Sequence, residues 1–250
     1  MASYDDRKKQ HQNIILKEAS NKHNFLTKAF LQSEIDEATL FNCCETVRKH
    51  GNNADFTLIK LIRFVYLDND NLVSYQDQVL DILSHFSFWP SKTKSALNSS
   101  ADAVGKTCFW SENHIFMYLS SCHLYAQKCV KKDTNYQYEQ HLLLIYLNAH
   151  CDMQGVYEVN SAVYLPYTLA SLLNLYDFSP VQDIRDKALF IIDKILTSAL
   201  LVCNVDGICT LSASARQSPR NIFRNYDHNI NQVWHSTTPF FVISVHYFSS

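Results

Sequence analysis

Only four glycines, Gly51, Gly105, Gly155 and Gly207, interrupt 250 residues, and each stands between stretches whose apolar residues recur at helical spacing. Glycines placed this way punctuate helices, so they narrow the fold to helices joined at polar breaks. Phe56, Ile59, Ile62, Phe64 and Tyr66 make one such stretch, and Leu72, Val79, Ile82, Leu83 and Phe86 make the next. With residues 68–71 as the polar break, the two predict a helical hairpin. The same periodicity predicts helices over 34–50, 112–129, 136–150, 161–176 and 181–204. At Asp177-Phe178-Ser179-Pro180 the pattern stops and restarts, with Ser179 expected as an N-cap and Pro180 in the first turn that follows.

The expected fold class is therefore all-α. Successive hairpins of similar length favour an (α/α) toroid, or part of one, over an up-down four-helix bundle. A single all-α domain over 1–250 is expected. Residues 90–105 and 207–226 lack apolar periodicity and read as long surface loops, the kind of segment that tends to carry sites. The apolar run 239–248 has no polar stop, which suggests an incomplete toroid.

Composition narrows the partners. A net charge of −2 and basic runs no longer than a few residues supply no field for a polyphosphate backbone, so nucleic acid is not expected. No stretch of about 20 apolar residues is present to span a bilayer. The polar first twelve residues do not form a secretory signal, and the chain is expected to be cytoplasmic. Eight cysteines are scattered without C-x-x-C or Cys/His ligand spacing, so reduced thiols are expected and no metal or cofactor is assigned.

The most informative segment is Trp110-Ser111-Glu112-Asn113-His114, which stands directly before the apolar run Ile115, Phe116, Met117, Tyr118 and Leu119. Ser111 is placed to cap a helix, with Glu112 to His114 in its first turn. Glu112 suits the positive end of a helix dipole, and a purely structural cap accounts for Ser111 and Glu112. Asn113 and His114 gain nothing there. An imidazole can act as a proton acceptor, and an amide beside it is a neutral donor to a carboxylate or a developing oxyanion.

Asn113-His114 at a helix start, followed by Gly155 with Glu158 and by Val163-Tyr164-Leu165-Pro166-Tyr167-Thr168-Leu169, resembles the helical-toroid polysaccharide lyases of the alginate lyase and heparinase-like type. The likeness spans roughly 110–195. It implies that Asn113 neutralises a uronate carboxylate, that His114 helps abstract the C5 proton, and that Tyr164 or Tyr167 serves as proton donor. The segment is also similar to toroid-forming proteins that share the Trp-Ser-Glu-Asn-His motif and a later Glu-x-x-Ser-x-x-Tyr pattern, here Glu158, Ser161 and Tyr164. That second likeness implies a sugar-binding cleft and favours Tyr164.

The implied partner is an oligo- or polysaccharide, acidic in the lyase reading, with Trp110 and Glu158 as sugar contacts and Arg216 and Arg220 as bidentate clamps on an acidic group. Glu112 stands where the alginate lyase motif usually has a second Asn. Two alternatives follow: glycoside hydrolysis with Glu112 and Glu158 as the carboxylate pair, and a non-catalytic helical scaffold or degenerate enzyme.

Overall fold

The computed structural model describes residues 25–32, 35–49, 54–86, 111–129, 136–158, 161 and 164–201, together with positions 6, 9 and 13. Every regular element among the described residues is helical: α1 (Phe25–Gln32), α2 (Glu37–Arg48), α3 (Ala54–Val65), a 3₁₀ turn (Asp70–Leu72), α4 (Val73–Ser84), α5 (Glu112–Lys128), α6 (Tyr136–Met153), α7 (Leu165–Phe178) and α8 (Gln182–Leu201). The all-α expectation holds, and six of the seven sequence-predicted helices are found within a few residues of their predicted start. The exception is the helix predicted to begin at 161, where α7 begins at Leu165. Helix α1 escaped the periodicity argument. It is two turns long, too short for an apolar stripe to repeat, and is held by burial of Phe25, Leu26 and Ala29.

Local chemistry sets the helix ends. Asp36 caps α2, its carboxylate accepting from the Thr39 amide at 3.1 Å and the Thr39 hydroxyl at 2.9 Å. The chain leaving α3 is tied to α4, where the Gln76 side-chain amide donates to Phe64 O at 3.0 Å and to Leu67 O, just past the helix, at 2.8 Å. Pro166 sits in the first turn of α7, where its missing N–H costs nothing.

Two of the expected caps differ from the reading above. Ser111 occupies the N-cap position of α5, but its hydroxyl donates to Asn113 Oδ1 at 2.6 Å and caps no backbone amide. Ser179 closes α7 and accepts from the Val181 amide at 3.2 Å, and α8 begins only at Gln182, so Pro180 precedes the helix. At Ser111 a side-chain partner competes with the capping geometry, which residue type alone does not disclose.

Helix α6 ends in a Schellman motif: the Gly155 amide donates to His150 O and the Gln154 amide to Cys151 O, both at 3.1 Å. The left-handed residue is Gln154, with φ of 57°, so glycine stands one position beyond the place that most favours it. Gln154→Gly relieves that conformation and is expected to raise stability by about 0.5–1 kcal/mol in urea denaturation.

Helices two apart in sequence pack together: α1 on α3, α3 on α5 and α5 on α7, and likewise α2 on α4 and α6 on α8. Neighbours join these rows through the pairs α2–α3, α3–α4, α5–α6 and α7–α8, and α3 also reaches α7. Helix α7 is buried except at Tyr167, Tyr176 and Phe178, and α3 except at Phe56, Thr57 and Lys60. Helices apolar on nearly every side must be enclosed by others, which places α3, α5 and α7 at the centre.

Polar bonds fix how the central three run. At one end Asp55 of α3 meets His114 of α5, and Phe56 of α3 meets Tyr167 of α7. At the other end Arg63 of α3 pairs with Asp177 of α7, the Tyr66 hydroxyl donates to Leu124 O of α5 at 2.8 Å, and His123 of α5 bonds Ser179. The three helices are therefore parallel, with their N-termini gathered at one end.

His123 Nε2 and Ser179 Oγ share a bond of 2.8 Å in a fully buried site. Burial holds this imidazole well below the ordinary histidine range, at about 4. The folded state thus keeps His123 neutral while the unfolded chain binds a proton below about 6.5, so stability falls as pH drops from there towards 4. His123→Gln is expected to remove about 1.4 kcal/mol per pH unit from that slope, read from urea midpoints across the window.

Candidate functional site

The N-terminal ends of α3, α5 and α7 bring together residues far apart in sequence. His114, in the first turn of α5, has its Nδ1 against Asp55 Oδ2, and the second Asp55 oxygen accepts from the Phe56 amide at 3.0 Å. The Asp55 side chain is almost wholly buried, and that of His114 is 12% exposed. A carboxylate on Nδ1 fixes the ring and leaves Nε2 to face a reactant. Among the described residues Nε2 has no hydrogen-bond partner in the protein. The Phe56 ring stands between His114, at 5.4 Å edge to face, and Tyr167, at 4.4 Å edge to face.

Asn113 is fully buried next to this dyad, with Oδ1 occupied by the Ser111 hydroxyl and Nδ2 without a partner among the described residues. A buried amide donor left unbonded costs about 1–3 kcal/mol, so its retention at a helix N-terminus calls for an explanation. Three helix N-termini converge at this end, each adding partial positive charge that favours an anion.

Glu112 faces away from His114 and has other work. Its Oε1 lies 2.8 Å from His150 Nε2 and accepts from the Tyr157 amide at 2.7 Å, while Oε2 accepts from the Glu158 amide at 3.0 Å. The Tyr146 hydroxyl adds a bond of 3.3 Å to Glu112 O. Burial and the neighbouring Glu112 push the Tyr146 phenol far above its usual range. Glu112 thereby ties the segment after α6 to the start of α5, and Glu158 approaches it through its backbone.

Of the two candidate tyrosines, Tyr167 is the one linked to His114, through Phe56. Tyr164 is half-buried just before α7, where its amide donates to Ser161 Oγ at 3.3 Å. Trp110, Arg216 and Arg220 lie outside the described residues, as do the segments 90–105, 207–226 and 239–248. Two cavities are described, one of about 260 Å³ bordered by Gly155, Leu165 and Lys194, the other of about 620 Å³ between α2 and α4. Neither is lined by Asn113, His114, Tyr164 or Tyr167. Among the described residues no group of three or more His, Cys, Asp or Glu is placed to hold a metal ion, and no helix is long and apolar enough to cross a membrane.

Sequence reading missed Asp55 and His150, and both left a trace. Asp55 shares a helical face with Leu58, Ile59 and Ile62, and His150 with Leu143 and Leu147. An ionisable residue on the core face of a helix needs a buried partner, which is a signal for pairing even when the partner is unknown.

No family model matches the chain, and neither the curated proteins nor the solved structures contain a significant match to it.

Proposed function

We propose that the chain is a carbohydrate-active enzyme with a two-row (α/α) toroid-type architecture that cleaves an acidic polysaccharide by β-elimination. The observation that carries this reading is the Asp55–His114 pair, with Asp55 buried and Nε2 of His114 without a partner among the described residues, at the end where three parallel helices start. Next-but-one packing, α1–α3–α5–α7 in one row and α2–α4 and α6–α8 in the other, supports the architecture.

In this reading the uronate carboxylate lies in the positive field of the helix ends, which stabilises the enolate formed when the C5 proton leaves. His114 Nε2 takes that proton, the C4–O bond breaks, a C4–C5 double bond forms, and the departing oxygen takes a proton from the phenol of Tyr167 or Tyr164. Asp55 holds the His114 ring and balances the imidazolium. Elimination is preferred to hydrolysis because both oxygens of Glu112 are already committed to the protein.

The test is incubation with alginate and heparin, following the ultraviolet absorbance of unsaturated uronate alongside new reducing ends. Both signals are expected to rise together. Reducing ends without absorbance would move the reading to hydrolysis. A folded chain that gives neither signal and binds neither polymer would leave a non-catalytic helical scaffold.

A further inference from the structure

His150 is surrounded by acceptors. Its Nδ1 lies 2.8 Å from the carbonyl of Tyr146 and its Nε2 lies 2.8 Å from Glu112 Oε1, with the side chains of His150 and Glu112 only 2% and 5% exposed. A carbonyl oxygen accepts and cannot donate, so Nδ1 carries a hydrogen. The Nε2 contact needs a second hydrogen, carried either by the ring or by the carboxyl. In both arrangements the pair holds one proton that a carboxylate and a neutral imidazole together would lack. The pair is then neutral overall, which a dry site requires.

The same carboxyl receives the amides of Tyr157 and Glu158. We infer that Glu112 and His150 form a proton-dependent latch that fastens the 154–158 segment to the first turn of α5. Loss of the shared proton in alkali turns the Nε2 lone pair against the carboxylate. Gain of another in acid leaves a buried imidazolium against a neutral carboxyl and weakens both amide bonds. The segment is held between these limits and released at either side.

Groups facing the pair are few. Helix α6 supplies the Tyr146 ring, 4.4 Å from the imidazole, and α5 the Phe116 ring at 4.7 Å. The segment itself brings Tyr157, 6.1 Å from the imidazole, and Glu158, whose charge with that of Glu112 is felt at Tyr146. Helix α8, also packed on α6, brings Lys187 and Asp183 to Cys151. The inference does not depend on the proposed activity.

The test is amide hydrogen exchange at Tyr157 and Glu158 in the whole chain across pH, corrected for the intrinsic rate and referenced to amides in the middle of α7. Protection is expected to peak at intermediate pH and to fall by about ten-fold or more on both sides while α7 stays protected. Glu112→Gln replaces one acceptor oxygen by an NH₂ group, and is expected to lose protection of one of the two amides at every pH. Should that variant fail to fold, the nitrogen-15 shifts of His150 in the unaltered chain decide. A change in the protonation of the ring at acid or alkaline pH while α7 remains protected supports the latch. A ring that keeps one tautomer unchanged throughout, or amide protection that only follows α7, overturns it.

Discussion

Asp177→Ala is expected to destabilise the fold by about 3–5 kcal/mol, because it strands the guanidinium of Arg63 in the centre of the molecule. Both side chains are wholly inaccessible, and Arg63 Nη1 also donates to Asn174 Oδ1 at 2.9 Å while Asn174 Nδ2 donates to Ile59 O at 3.0 Å. The guanidinium stacks over Phe178 at 4.9 Å, and Phe178 in turn lies on Tyr66. Burial draws Arg63 down to about 10, with Asp177 opposing the fall, so the cation persists at neutral pH. Total stability of a domain is about 5–15 kcal/mol, which places the single variant near the unfolding threshold. Arg63→Met in the Asp177→Leu background removes both charges and is expected to recover most of the loss. Urea denaturation of Arg63→Met, Asp177→Leu and the double closes the cycle. Additive losses would mean that the pair is not a unit.

The network explains what the sequence discloses and what it withholds. Helices were legible because burial repeats along one chain: Leu58, Ile59, Ile62 and Val65 declare the inner side of α3 without reference to any partner. Orientation between helices was not. Arg63 and Asp177 are 114 positions apart, and neither residue carries a local mark of the other. The Trp110–His114 segment shows the same division. Its identity as a helix start was readable, since polar residues precede an apolar run, but the roles of its members depended on what faces them. Glu112 faces His150 and the following segment, whereas His114, two positions on, points to Asp55 on another helix. At about 100° per residue, adjacent positions in a helix address different neighbours. Tyr167 shows the same division, since its tie to His114 runs through Phe56 and is invisible in the sequence between them.

Within the proposed elimination, His114→Ala is expected to lower kcat by about 10²–10⁴-fold with KM little changed, because Nε2 acts on the C5 proton while the carboxylate is held elsewhere. Asp55 works through the ring it holds. Asp55→Ala frees Nδ1 and lets the proton move to Nε2, where it blocks acceptance, so kcat falls while KM stays put. A purely structural loss at this site would leave the tautomer of His114 unchanged; nitrogen-15 shifts that move from Nδ1–H to a mixture in Asp55→Ala separate the two. The tyrosines divide by the same logic. Tyr167→Phe keeps the ring on Phe56 and removes only the hydroxyl, so a loss of kcat there, larger than in Tyr164→Phe, assigns the proton donor to Tyr167. The opposite order returns the role to Tyr164 and leaves Tyr167 to pack the wall behind His114.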